Sequence, residues 1–203
     1  MKLYDGGRAP NPRRVSIFLA EKGLDVPRVA VDMAAMEHKS EAIMTRNPMA
    51  RLPILELDDG TCISESVAIC RYFEELHPEP PLFGTGATER AIIEMWNRRV
   101  EFHYLLPVGQ AFRHIHPAMK TWEIPQLPEW GEINKPKALD FLSFMDGELK
   151  GRPFVAGDTF SIADITMMVA FDFMKPARIT CPDEWTHVWR WYRNVAARPA
   201  SKA

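Results

Sequence analysis

The sequence predicts an α/β unit followed by an all-α unit, and three observations carry that reading. Short strand-like runs alternate with helical runs up to about residue 77, and only helical periodicity follows. Between the two stands His77-Pro78-Glu79-Pro80-Pro81, whose prolines cannot continue a helix and stiffen the chain into a connector. Composition shifts at the same place. Of 21 aromatic residues only Tyr4, Phe18, Tyr72, Phe73 and Phe83 lie in the first 83 positions, and all six tryptophans fall at Trp96 or later. The expected units are therefore 1–80 and 88–203, with a linker at about 78–87.

Lys2 to Asp5 reads as a strand, followed by the turn Gly6-Gly7-Arg8-Ala9-Pro10. Asn11-Pro12 then has the form of an N-cap and first helical residue, because Asn accepts a free backbone N–H and Pro lacks the one that would go unpaired. Val15, Phe18 and Leu19 recur at helical spacing until Gly23 ends the helix. Val29 to Asp32 is a second strand, parallel to the first because a helix joins them. Ser40 to Arg46 is a short helix. Ile54 to Leu57 and Thr61 to Ile63 flank Asp58-Asp59-Gly60, a hairpin signal. Val67, Ile69, Cys70 and Phe73 form the apolar face of a helix starting at or just after Ser64 and reaching Leu76. This order is the thioredoxin-like layout. The helices expected beyond it span about 88–106, 109–119, 136–149, 161–173 and 184–196. Ser161 and Asp164 have capping-box spacing at the head of the fourth, with Phe160 and Ile165 at the staple positions.

Composition narrows the function classes. With 203 residues, 46% apolar and 26% charged, the chain can bury a core and is not disordered. Its 25 basic against 27 acidic residues, spread evenly over both halves, make nucleic acid and anionic membrane poor partners. Cys62, Cys70 and Cys181 are too scattered for a disulfide framework or a thiolate metal site, so a reducing compartment is expected. The start lacks the apolar core of a signal peptide, and no run of about 18 apolar residues occurs. The expectation is a soluble, cytoplasmic protein.

A thioredoxin-like unit has one reactive spot, the N-terminus of its first helix, where free N–H groups and the helix dipole favour a thiolate. Residues 8–14 read Arg-Ala-Pro-Asn-Pro-Arg-Arg and contain no cysteine, so a thiol used there arrives with the substrate.

At this point the chain resembles the cytosolic glutathione transferase family along essentially its whole length. The resemblance rests on Ala9-Pro10-Asn11-Pro12-Arg13-Arg14-Val15, on Asn47-Pro48 followed by Arg51-Leu52-Pro53-Ile54-Leu55, on Ser64-Glu65-Ser66-Val67-Ala68-Ile69, and on Gly157-Asp158-Thr159-Phe160-Ser161-Ile162-Ala163-Asp164. It implies a cis bond before Pro53, a Leu52 backbone open to the cysteinyl unit of glutathione as an added strand, and a γ-glutamyl group met by Glu65 and Ser66. His38 and Lys39 stand where the family reaches the glycyl carboxylate, though alone Lys39 reads equally as a solvated lysine. Many relatives hold the sulfur with Tyr, Ser or Cys; here Ala9 stands where some carry a hydroxyl, and Asn11, the residue some bacterial branches use, remains. Asn11 can be a cap only, or a cap whose amide also donates to sulfur. Arg13 and Arg14 read as a solvated first-turn face.

The co-substrate pocket is expected between the units, with Tyr104, Phe112 and Trp122 as aromatic candidates and His103 and Arg113 as polar ones. His114 and His116 are two apart with no third ligand evident, so no metal is expected. Cys62 and Cys70 read as buried small hydrophobes. The resemblance thus implies a detoxifying transferase that aims the glutathione thiolate at a hydrophobic electrophile. A glutathione-dependent disulfide or peroxide reductase, and a non-catalytic glutathione-fold binding module, are the alternatives. A homodimer is implied, with the Glu65 helix and the start of the long helix at its interface and Met49 the largest apolar side chain of the 46–52 segment.

Overall fold

The computed structural model describes all residues, 1 to 203. The chain divides into two compact units, residues 1–82 with 199–203, and residues 83–198. The last five residues thus belong with the first unit, where the Arg13 Nη2 donates to Ser201 O at 3.0 Å.

The first unit runs β1 (Lys2–Asp5), α1 (Pro10–Glu21), β2 (Arg28–Ala30), a 3₁₀ turn (Glu37–Lys39), α2 (Glu41–Met44), β3 (Ile54–Glu56), β4 (Cys62–Ser64) and α3 (Ser66–Leu76). Its sheet has the order β2-β1-β3-β4, with β1 and β2 parallel and the other pairs antiparallel, as the connections require. Gly60, at φ +87°, turns the β3–β4 hairpin. Tyr4 pairs with Ile54, and both join Val31, Ile43 and Leu52 in one apolar cluster, so α2 covers that face. Leu3 and Leu55, one residue along each strand, point to the other face. There α3 packs on β3 and α1 on α3.

A buried clamp ties the helix ends together. The Lys22 ammonium, its side chain without exposed surface, pairs with Glu74 at 2.5 Å and donates to the His77 and Pro80 carbonyls. The expectation for Arg14 is overturned. It is only 1% exposed, because it lies in the α1–α3 seam and donates from Nη1 to Ser66 Oγ at 2.8 Å.

The second unit contains α4 (Gly86–Val100), α5 (Leu106–Ile115), α6 (Pro128–Leu149), α7 (Ile162–Phe173) and α8 (Thr186–Ala196). Two sequence boundaries change. Helices 88–106 and 109–119 form one run to Ile115, because a π-helical turn at Glu101–Leu105 widens the backbone just ahead of Pro107. The helix expected at 136–149 begins two turns earlier, with Pro128 in its first turn and Pro136 inside it. The capping-box position is as read: both Asp164 oxygens are engaged, one by Val155 N and Trp191 Nε1, the other by Ser161 N and Oγ. No helix is long and apolar enough to cross a membrane.

Candidate functional site

The N-terminus of α1 is the first component of the site. Asn11 does not cap it. The helix starts one residue earlier than the Asn-Pro dipeptide suggests, with Ala9 at the N-cap, Pro10 in the first turn and no side-chain cap. Either proline satisfies the local rule for a first helical residue, and Arg13 N, bonded to Ala9 O at 3.0 Å, shows that Pro10 takes the role. A consequence follows for the donors. Pro10 and Pro12 remove two of the N–H groups that a helix start leaves unpaired, so in this turn the backbone N–H of Asn11 stands between two positions that offer none. The Asn11 side chain is exposed at the same point and offers a second donor.

The second component is the segment from Asn47 to Pro53. Asn47, 3% exposed, donates from Nδ2 to Arg51 O at 2.8 Å and accepts from Met49 N at 3.1 Å, and Ala50 takes φ +51°. This internal bracing delivers Leu52 to the head of the sheet, where the Leu52–Pro53 bond is cis and the β3 ladder starts only at Ile54. Leu52 packs against Gly6, where an added Cβ would lie 3.0 Å from the leucine Cδ1. The β1–α1 turn and residue 52 are therefore in contact.

The third component is the N-terminus of α3. Glu65 is its N-cap, exposed, and held at φ +69° and ψ 115°, in the region L residues avoid. No side chain caps this helix either. Ser66 is 4% exposed, and its hydroxyl, receiving the Arg14 bond on a lone pair, keeps its own proton to donate.

His38 departs from expectation. It has no exposed surface, and burial, followed by the neighbouring charges of Lys39 and Arg51, lowers its pKa from the ordinary 6.5. A buried neutral ring does not meet a carboxylate from solvent. Lys39 and Arg51 are both exposed, and both act on His38, so the cations of this corner are those two. The sequence reading missed Arg51 as a charge, together with Arg14 and Asn47; only Arg51 had a local signal, next to Leu52-Pro53.

In the second unit the predicted pocket residues divide. Tyr104 is fully buried with its hydroxyl 2.8 Å from Met174 Sδ, and burial raises its pKa; with no accessible surface it is core, not lining. His103 is exposed and stacks on Phe141 with centroids 6.3 Å apart. Phe112 lies between His116 and Phe173, at 4.7 Å from each, and Arg113 pairs with Glu123 at 3.3 Å. Trp122 is half-buried in the turn after Met119. His114 accepts from Leu127 N and His116 from Ala118 N, so each imidazole already has a structural partner. Cys70 is buried as expected and burial pushes its thiol up, whereas Cys62 is only half-buried.

Two uncapped helix starts and a strand head with an unpaired backbone residue, in a thioredoxin-like sheet followed by a helical unit, define a thioredoxin-like protein that carries no cysteine at the start of its first helix. Family models sharpen this: that of the glutathione S-transferase N-terminal domain matches residues 9–76 and that of the C-terminal domain matches residues 110–199. The chain is 38% identical over 205 residues to glutathione S-transferase 2 of Saccharomyces cerevisiae, covering 100% of this chain and 88% of that protein. Its fold superposes on the crystal structure of Gtt2 from Saccharomyces cerevisiae with a TM-score of 0.94 at 38% identity, covering 100% and 99% of the two chains. A structure of glutathione S-transferase I bound to lactoylglutathione matches at TM-score 0.81 and 25% identity, over 99% of this chain and 96% of that one. The chain belongs to the glutathione S-transferase family.

Proposed function

We propose that this protein binds reduced glutathione on its first unit and directs the thiolate at a small hydrophobic electrophile held against the second. The observation that carries the reading is the uncapped start of α3, where exposed Glu65 stands beside the free N–H groups of an 11-residue helix. An amino acid zwitterion needs a carboxylate next to a cluster of donors, and this is one. The γ-glutamyl ammonium pairs with Glu65 and its carboxylate takes the backbone N–H groups with the Ser66 hydroxyl. The cysteinyl unit lies along Leu52, and Lys39 with Arg51 attracts the glycyl carboxylate. His38 supports that corner from beneath.

The sulfur then lies at the start of α1. Lowering a thiol pKa from about 8.5 by two units takes about 2.7 kcal/mol of preferential thiolate stabilisation. One charge-assisted hydrogen bond supplies roughly 1.5–3 kcal/mol and a helix N-terminus roughly 0.3–1. The Asn11 amide with its own N–H is therefore sufficient, and Asn11, relieved of capping, is free to serve. Phe112, Trp122, His103 and Arg113 are the residues proposed to line the electrophile's side, and a homodimer is the proposed assembly, for which exposed Met49 and the exposed Ile92 and Met95 of α4 are suitable contacts.

The test is an assay of purified protein with reduced glutathione and a halogenated nitrobenzene, run beside one with hydroxyethyl disulfide. Conjugation is the expected result. Disulfide reduction alone would establish the reductase. Calorimetric binding of glutathione with neither activity, and a bound thiol titrating near its free value, would establish the binding module.

A further inference from the structure

The second unit contains a cleft of about 610 Å³ that the proposed reaction does not use. Its walls are the turn after α6, with Lys150, Arg152 and Pro153, and the face of α8 carrying Arg190 and Asn194, over Trp191. Three of these residues are cations and none is acidic, in a chain whose formal charge is -2.

Both guanidinium groups, those of Arg152 and Arg190, are fixed before any ligand arrives. Arg190 donates from Nη2 to the carbonyls of Leu149 and Arg152, which holds the turn against α8. Arg152 donates to Glu148 at 2.9 Å while its guanidinium lies 4.1 Å from the Trp96 ring. Arg190 thereby engages only neutral oxygens, its charge uncompensated. The Arg152 Nε is buried with no hydrogen-bond partner. Lys150 is exposed and forms no ion pair, so among the three cations only Arg152 has a carboxylate paired with it, Glu148, and Asp164 acting on it through space. Capping of the α6 C-terminus accounts for Arg190. The same helix end suits Lys150, its C-cap residue, but it does not account for Asn194 one helical turn from Arg190, or for the concavity between Lys150 and Arg190. Trp191 is fully buried beneath the cleft, with its Nε1 engaged by Asp164 at 2.9 Å, and offers the ligand no polar group.

We propose that this cleft binds a small dianion through its oxyanion groups, phosphoryl or dicarboxylate, held between Lys150 and Arg190 with the Asn194 amide as a neutral donor. Concave walls favour a small molecule over a flat macromolecular contact, and prefixed guanidinium forks suit bidentate oxyanions. The site is separate from the glutathione-binding residues and stands whether or not the proposed reaction does.

Inorganic pyrophosphate and succinate serve as probes, with sodium chloride at matched ionic strength as control, read by calorimetry and thermal unfolding of the intact protein. Saturable binding of either is expected, pyrophosphate alone assigning a phosphoryl ligand and succinate alone a dicarboxylate. Lys150→Glu should weaken it by roughly tenfold or more, because a nearby attraction becomes a repulsion. Lys150 forms no side-chain bond in the fold but is the C-cap of α6, so the reversed charge should lower the ligand-free unfolding temperature by a few degrees at most, and glutathione conjugation should stay unchanged. Asn194→Leu, which leaves the charge alone, should weaken binding less. No saturable binding of either probe at about 10 mM, an affinity too weak to matter, or an equal affinity in Lys150→Glu, would overturn the proposal.

Discussion

Two helix starts in the first unit, those of α1 and α3, and two in the second, those of α7 and α8, are treated in opposite ways. In the second unit α7 and α8 are closed by carboxylates: Asp164 completes a capping box by accepting from the N-cap Ser161 N, and Asp146, reaching over from α6, accepts from His187 N at 2.8 Å and Val188 N at 2.9 Å. In the first unit α1 and α3 have no side-chain cap at all. Free N–H groups are a liability when buried and an anion site when exposed. The second unit uses the starts of α7 and α8 for cohesion, and the first leaves those of α1 and α3 open where the cofactor is proposed to bind.

Breaking the closed end should have the largest effect. Asp164→Ala leaves Val155 N, Ser161 N and Trp191 Nε1 buried without partners, at roughly 1–3 kcal/mol each. A loss of about 3–5 kcal/mol is expected, seen as a fall in unfolding temperature of roughly 10 °C or more. The same carboxyl carries a pH signature. Burial pushes its pKa up to about 6 from the ordinary 3.8, against the four hydrogen bonds that favour the charged form. Between those values the folded chain keeps a proton that the unfolded chain has released, so this group's contribution is greatest below the unfolded pKa and is lost as pH rises through about 6. The difference in unfolding temperature between wild type and Asp164→Asn should therefore narrow as pH rises from 4 to 7, and a widening would contradict the raised pKa.

The open end should respond in rate. Because Ala9 occupies the N-cap, Asn11→Ala is expected to leave stability within about 0.5 kcal/mol. Turnover should fall roughly 10- to 100-fold, the equivalent of one hydrogen bond to a thiolate, with an upward shift in the bound-thiol pKa followed by ultraviolet titration. A stability loss with unchanged turnover would return Asn11 to a structural role. At α3, Glu65→Gln keeps the shape and removes the charge. The KM for glutathione should rise roughly tenfold with kcat nearly unchanged, since the γ-glutamyl ammonium is bound equally in ground and transition states.

The same contrast explains what was legible. Asp164 is three residues from Ser161, so its role is written locally, and the strand order and hairpin follow from period and turn chemistry. The misassigned elements are those where two prolines compete for one rule. Pro10 and Pro12 both suit a first helical turn, and so do Pro128 and Pro136, of which the packing of α5 on α6 leaves the second inside the helix. Pro107 reads as a break because nothing in the sequence announces the π-helical turn that relieves it. Arg14 and His38 look like surface residues, and their burial depends on partners such as Ser66, 52 positions away, which no local pattern reveals.

The smallest effect is expected at Asp146, and it is the one that most sharpens the comparison. Unlike Asp164, it reaches α8 from another helix, is half-buried, and accepts two backbone N–H groups that solvent can partly serve once it is gone. Asp146→Ala should therefore behave as loss of an ordinary cap, about 0.5–2 kcal/mol, with no change in glutathione affinity. Asp146→Asn keeps an acceptor oxygen and should recover part of that loss. Hydrogen exchange would locate the change: protection should drop at the amides of His187 and Val188 and at the turn of α8 that follows them. A drop spread over α7 as well would mean that the two capped starts form one cooperative element rather than two independent closures.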